Sequence, residues 1–452
     1  MTIWMRTRRH DPTAGLGDLE TALAGDDCPV CARAAGADGR WLDRFLDDGY
    51  LERDVMRRVA AGGGFCAFHT SRLTAIGQSA TVAIIYLSLI EDLLPRLAAR
   101  RDRRGRHVPL LAAPDACEAC AHQREVERRE CFFLALLIRA RGLRCYGAPA
   151  LVCLRHLPPL LGQLDERDIA GMLALHRAAT ATLAPENDPD SAIRRLLGPL
   201  SLPRDPAAPP PDPDNADTPD PVRRMRRRLR ELPSCAICAE IADASAEWLA
   251  WLARASENAV DADGLSDVLP LCRDHVRQAR TVAGPTLAPA LAAAVRREAE
   301  QRLAFAGDAA AGYGGSRRLL DRLGRAFGAA PARSAVLASL RRGRECPLCA
   351  RIGEAGERAL ALLAALVEDA DGRHAFESGY GLCVRHAALA LAMPHSPALS
   401  DIVARTTRAR LLPLRWELEE QLRRGAWQAR PQRRGVESAA WLRAGPRFAG
   451  TV

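Results

Sequence analysis

Lysine is absent from this 452-residue chain: all 64 of its basic residues are arginine. Alanine is abundant alongside, and that joint bias marks a GC-rich genome, so the net charge of +9 is a poor argument for nucleic acid. Arginine clusters at 100–106 and 223–230 flank linkers and read as solvated helix ends. The interleaving of aromatic with basic residues that stacks bases is missing. No apolar run is long enough to span a bilayer; the best, Thr81 to Ile90, is followed at once by Glu91 and Asp92 and reads as a buried helix. The N-terminus, MTIWMRTRRHDPTAG, has no apolar core to serve as a secretion signal, so a reducing cytoplasm is the expected compartment.

Catalytic signatures are missing too. There is no GxxxxGKS/T phosphate loop, no HExxH and no GxSxG. His10, His107, His122, His176, His374 and His395 stand in no fixed relation to a carboxylate, and each reads as a surface or core residue. The reading leans away from an enzyme.

What the chain does have is one pattern written four times: CxxC, a gap of 34, 32, 33 or 33 residues, then CxxH. The copies are Cys28, Cys31, Cys66 and His69; Cys117, Cys120, Cys153 and His156; Cys235, Cys238, Cys272 and His275; Cys346, Cys349, Cys383 and His386. Twelve of the 14 cysteines are used, and no CxxC or CxxH lies outside the series. Three thiolates and one imidazole suit a tetrahedral structural zinc ion, and the short spacing lets one turn aim both ligands of a pair at it. Recurrence makes incidental cysteine pairs a poor explanation. An iron-sulfur cluster or a thiol-disulfide cycle is the alternative chemistry for the same ligands.

The register extends beyond the ligands. Counted from the second cysteine of each CxxC, position +11 holds Leu42, Cys131, Leu249 and Leu360; position +14 holds Phe45, Leu134, Leu252 and Leu363; position +15 holds Leu46, Ala135, Ala253 and Ala364. Apolar columns three and four apart predict a helix with one buried face. Trp41 and Trp248 share offset +10. After each CxxH a second helix is expected, clearest at Leu73 and Ile76 and at Leu389 and Leu391. The implied unit is a short helix-loop-helix stapled by its own Cys3His site, with the ion between two helix N-termini, where free N–H groups favour the net negative charge of three thiolates on a divalent ion. Arg155 and Arg385, just before ligand histidines, could offset that charge.

A Pro/Asp-rich tract at 185–222 reads as a linker without helix, which predicts an N-terminal lobe at 1–184 and a C-terminal lobe at 223–452, each with two modules. The second lobe carries an insertion between its modules, Ala290 to Arg344, broken at GYGGS.

The segments CPVC…GGGFCAFH and CPLC…SGYGLCVRH, with the closing GVESAAWLRAGPRFAG, resemble an uncharacterised family of bacterial cysteine-rich proteins with a CPxC…GFCxxH unit and a tryptophan-containing tail. The resemblance implies an all-helical metal-binding protein and brings no activity. Modules two and three depart from it: CEAC and CAIC lack the proline, and LVCLRH and LPLCRDH lack the glycine. The expected whole is a mostly α, two-lobed array holding up to four zinc ions, a non-catalytic binding or scaffolding module for another protein, with a nucleic-acid-binding regulator as a further alternative.

The two spare cysteines give the first test. Cys131 fills a leucine column and Cys145 has no counterpart, so both read as structural. Replacing Cys28 or Cys346 by serine is expected to remove one bound ion, and Cys131→Leu to leave the ion count unchanged, as elemental analysis of the purified variants would read.

Overall fold

The computed structural model describes residues 14–99, 109–114, 116–146, 151–199, 220–257, 271–283, 287–311, 331–341, 345–393, 397–426 and 435–450. Among them there are helices and no strands, as the periodicity predicts. The first half forms α1 (Ala14–Leu23), α2 (Pro29–Ala34), α3 (Ala37–Asp47), α4 (Arg53–Ala61), α5 (Ala67–Ile76), α6 (Ser79–Ala98), α7 (Glu118–Arg141), α8 (Leu157–Leu161), α9 (Glu166–Ala181) and α10 (Pro189–Leu197). The second forms α11 (Pro221–Glu231), α12 (Ala236–Glu257), α13 (Arg273–Ala283), α14 (Ala288–Ala311), α15 (Pro331–Arg341), α16 (Pro347–Leu366), α17 (Ala370–Ser378), α18 (Val384–Ala392), α19 (Pro397–Gly425) and α20 (Ala440–Ala449).

Two of the three apolar columns behave as expected, and at +15 Leu46 and Ala135 are buried while Ala253 and Ala364 are half-buried. Every residue at +11 and +14 is buried, from Leu42 and Phe45 to Leu360 and Leu363. Thr81 to Ile90 lies in α6, where Val82, Ile85, Tyr86, Leu89 and Ile90 face inward while Ile84 stays exposed. After the CxxH pairs, α5 buries Leu73 but leaves Ile76 exposed, and α18 leaves Leu389 exposed. The helices behind the CxxC pairs are not short, however. In modules two, three and four they run for 24, 22 and 20 residues as α7, α12 and α16. At 1.5 Å per residue these are rods of about 36, 33 and 30 Å.

The proline tract also departs from expectation. Its first part folds: Asp188 caps α10, its Oδ1 accepting from the Ser191 N–H at 2.9 Å, and Pro189 occupies the first turn, where its missing N–H costs nothing. Ala192, Ile193 and Leu196 are buried. At the other end Asp220 caps α11 in the same way, accepting from Val222 N–H at 2.9 Å. The intervening 200–219 and the GYGGS break lie outside the described residues.

Contacts gather the chain into two compact units, and each draws on both sides of the tract, whereas the sequence reading placed one lobe on each side. Unit 1 takes residues 1–36, 123–201 and 249–349; unit 2 takes 37–122, 202–248 and 350–452. Each unit has one core. In unit 1, α14 of the second half packs against α9 and α10 of the first, and α15 against α14 and α8. In unit 2, α6 of the first half packs against α19 and α20 of the second, and α5 against α20. The recipe is the same with the halves exchanged: the helix that follows the earlier CxxH of one half packs on the last two helices of the other. The exchange is pinned by side chains that cross between halves. Arg296 donates to the Leu183 carbonyl and Arg280 pairs with Asp190 at 2.5 Å in unit 1, while Gln421 donates to the Ser79 carbonyl at 3.3 Å in unit 2.

Because α10 is an integral part of unit 1 rather than a spacer, Ile193→Ala is expected to destabilise the fold by about 2–5 kcal/mol, the usual cost of truncating a fully buried isoleucine. Chemical denaturation would measure it; a linker residue would show no change.

Candidate metal centres

All four CxxH pairs are built alike. The cysteine stands at the start of a helical turn, and its carbonyl accepts from the N–H four residues on: Thr70 to Cys66 at 2.9 Å, Leu157 to Cys153 at 3.0 Å, Val276 to Cys272 at 2.8 Å and Ala387 to Cys383 at 2.8 Å. Cys66 and Cys383 are the N-caps of α5 and α18 with extended backbone, which puts the histidine at the third helical position on the same side as the cap sulfur. The CxxC pairs open α2, α7, α12 and α16 in similar fashion, with Ala32, Ala121 and Ala239 N–H groups closing the first turn onto Cys28, Cys117 and Cys235. Each pair is thus two donors on one helix start.

The sixteen residues come together in four groups whose ligand atoms all lie within 4.8 Å of one another, but the partners are not those of the sequence reading. Cys28 and Cys31 meet Cys153 and His156; Cys117 and Cys120 meet Cys66 and His69. The second half repeats this, Cys235 and Cys238 meeting Cys383 and His386 while Cys346 and Cys349 meet Cys272 and His275. Pairing is nested: in each half an outer group joins the first CxxC to the last CxxH, and an inner group joins the two pairs between. The self-stapled helix-loop-helix module is therefore incorrect. In every repeat the CxxC and the CxxH fall in different units. Unit 1 holds the outer group of the first half and the inner group of the second; unit 2 holds the other two.

Geometry is uniform across the four. Each histidine turns Nδ1 to the thiols: His156 lies 3.5, 3.4 and 3.4 Å from Cys28, Cys31 and Cys153. His69 lies 3.2, 3.4 and 3.3 Å from Cys66, Cys117 and Cys120. His386 lies 3.5, 3.3 and 3.3 Å from Cys235, Cys238 and Cys383, and His275 lies 3.3, 3.2 and 3.3 Å from Cys272, Cys346 and Cys349. The Sγ of the second CxxC cysteine stands 3.8 or 3.9 Å from that of the CxxH cysteine in every group.

Crowding splits the thiols. Burial opposes charge at Cys28, yet hydrogen bonds from Cys153, Cys31 and His156 hold it well below the ordinary thiol value, while Cys153 is pushed well above it by those to Cys28 and Cys31 and by burial. Cys235 low and Cys383 high, Cys117 low and Cys120 high, and Cys346 down to about 3 with Cys272 high repeat the division. One thiolate is stabilised by neighbours that keep their protons; a divalent cation is what lets all three ionise together. The groups can therefore hold metal ions.

Supporting residues escaped the sequence reading. Asp38 Oδ2 accepts from His69 Nε2 at 3.1 Å and from Arg72 at 2.6 Å, so the ring is oriented with Nδ1 toward the sulfurs. The hydrogen bond to His69 holds the Asp38 carboxyl well below the usual range despite partial burial, with Arg72 adding to the effect. Glu127 stands 3.4 Å behind His156 Nε2 and takes a 2.7 Å bond from Arg155, which serves this carboxylate and does not face solvent alone. Both acids sit at offset +7 from their CxxC, a column that was legible; Ser245 and Gly356 fill it in the second half. Gly198 and Gly450, each just past the last helix of its half, lie with positive φ against thiols: a Cβ would fall 2.8 Å from Cys31 Sγ at the first and 2.7 Å from Cys238 Sγ at the second. Only glycine combines that backbone with that approach. Arg385 donates to the Pro114 carbonyl at 3.1 Å, and half-buried Arg447 donates to the Tyr380 and Leu382 carbonyls at 2.9 and 3.3 Å, just before Cys383.

The remaining candidates are structural. Cys131 is buried with Sγ 3.8 Å from the His156 carbonyl, and burial raises its thiol to about 12. Cys145 is only half-buried, donating to the Gly142 carbonyl at 3.1 Å. His176 is a core residue, pushed down to about 4 by burial; its Nε2 accepts from Tyr146 Oη at 3.0 Å, and that hydroxyl accepts from Val152 N–H at 2.6 Å, next to Cys153. His374 is exposed, and His10, His107 and His395 lie outside the described residues. Of the arginine clusters, 100–106 lies outside them too, while the helix α11 cluster spends charge within the fold: Arg224 and Arg228 on Glu240, Arg228 on Asp243 and Arg226 on Asp369.

No family model matches the chain, nor does any curated protein or solved structure.

The nested pairing makes a sharp prediction. Cys28→Ser and His156→Ala are each expected to lose one ion, and the double variant to lose that same one; ligands of separate modules would lose two. Native mass spectrometry counts them.

Proposed function

We propose that the chain is a structural zinc protein, holding up to four ions and acting without catalysis as a binding or scaffolding module for another protein. The observation that carries the metal assignment is the uniform donor set, three thiols and one Nδ1 within 4.8 Å of one another, four times over. With Zn–S at about 2.3 Å, a tetrahedron has sulfur-sulfur edges of about 3.8 Å. The spacings of 3.8 and 3.9 Å fit such an ion. A multi-iron cluster needs its ligands farther apart, which favours a single ion over the iron-sulfur alternative. Four protein ligands leave no open position for water or substrate, in keeping with a structural role.

The charge budget fits as well. A divalent ion with three thiolates is one unit negative, and Arg72 and Arg155 lie at the carboxylates behind two of the histidines. A role toward another protein is supported by apolar side chains left on helix surfaces at a spacing of four: Phe132 with Leu136 on α7, and Leu412 with Trp416 on α19. The engagement of helix α11 arginines in ion pairs argues against that cluster as a nucleic-acid footprint. Among the described residues no helix is long and apolar enough to cross a membrane. Membership of the cysteine-rich family that the motifs resemble is part of the same reading.

Elemental analysis of anaerobically purified protein is expected to give close to four zinc ions in a colourless sample, and removal by a strong chelator to unfold both units, since a structural site contributes on the order of 10 kcal/mol to folding. A brown sample rich in iron and sulfide would establish the cluster chemistry instead. Native circular dichroism in an ion-free sample would refute a structural role for metal.

A further inference from the structure

The four centres are alike in their ligands and unlike in what surrounds them. The outer group of the first half has Glu127 behind His156 and the backbone of Gly198 laid against Cys31 and Cys153. The inner group of the first half has Asp38 bonded to His69 and tied by Arg72, with Cys117 and His69 buried. The outer group of the second half has Gly450 against Cys238 and Cys383, three buried cysteines, and Arg447 fastening the strand of chain that leads into Cys383. The inner group of the second half buries His275 and Cys346 in the same way, but it holds the one exposed ligand of the sixteen. Cys349 is exposed and Cys272 half-exposed. Among the described residues His275 has no carboxylate hydrogen bond, Ser245 standing where the first half has its acids, and no glycine backbone closes on its sulfurs; the group of His386 shares the first lack, with Gly356 at that offset, but has Gly450 as a lid.

Two physical consequences combine. Partners behind a ligand histidine fix its ring and are worth about 10–100-fold in metal affinity, so a group without them lets its ion go more readily. A thiolate open to solvent is also the point at which an incoming soft ligand can reach the ion, because ligand exchange at a closed tetrahedral site needs an approach that buried sulfurs and a backbone lid deny.

We propose that the group of Cys272, His275, Cys346 and Cys349 is an exchange site, from which the ion passes to a soft, thiol-bearing ligand from solution, while the other three groups retain theirs. The proposal rests on the reading that the groups hold ions. In the exchange the incoming thiol loses its proton and bonds to the metal as thiolate, the bond from the metal to Cys349 Sγ breaks, and Cys349 takes up a proton. Charge and redox state are conserved. Repetition at Cys346 and Cys272, and replacement of neutral His275 Nδ1 by a further donor of the incoming ligand or by water, completes the transfer. The protein then combines three ions that hold the fold with one that it can give up or acquire.

The test uses the full chain with its ions. Transfer to the colorimetric chelator 4-(2-pyridylazo)resorcinol is followed in time, while N-ethylmaleimide labelling is mapped by peptide mass spectrometry. One ion in four is expected to leave about tenfold or more ahead of the rest, with label first on Cys349 and then on Cys272 and Cys346. Cys349→Ser is expected to abolish the fast phase and leave the slow one intact. Release of all ions in one phase, early label on a cysteine of another group, or a fast phase that survives Cys349→Ser would overturn the proposal. If that variant fails to fold, the label order in the unsubstituted chain still decides. A chain that binds no ion at all overturns the metal reading itself, which distinguishes the two failures.

Discussion

Everything in this fold depends on two helix starts meeting tip to tip. A CxxC at one N-terminus and a CxxH at another supply four soft donors within 4.8 Å, where both helix dipoles and free N–H groups favour negative charge. Neither pair can do this alone, and three thiols so close cannot all ionise without a cation. The meeting therefore fixes which helices are neighbours. The cores add what no ligand group does and join the halves, with α6 on α19 and α20, and α14 on α9 and α10.

Much of the site was written in the sequence. The repeated CxxC and CxxH pairs name all sixteen donors, and the columns at +11 and +14 mark the buried faces of the helices that carry them. The pairing was not legible from spacing, because any CxxC with any CxxH gives three sulfurs and one imidazole. It is settled only in three dimensions, where the two pairs of one repeat fall in different compact units and each meets the pair of its neighbour. Asp38 and Glu127 share an offset that a search for acidic columns finds, yet their meaning is visible only once His69 and His156 are seen with Nδ1 turned inward.

The helix at Pro189–Leu197 shows how composition hides local signals. DPDSAIRRLL carries a capping aspartate, a first-turn proline and buried Ile193, the ordinary marks of a helix start, inside a stretch whose proline content argues for a spacer. Gly198 then follows directly, so a residue from the supposed linker closes a metal site. In the second half Gly450, after α20, has the same place.

Nested pairing also dictates the order in which a growing polypeptide can complete its centres. On a ribosome, Cys28 and Cys31 emerge first but wait for His156, whereas Cys66 and His69 are answered as soon as Cys120 appears. Later, His275 is satisfied at Cys349 and the pair at Cys235 only at His386, so in each half the enclosed centre matures before the enclosing one. Nascent chains must then carry unpartnered thiols through most of their synthesis.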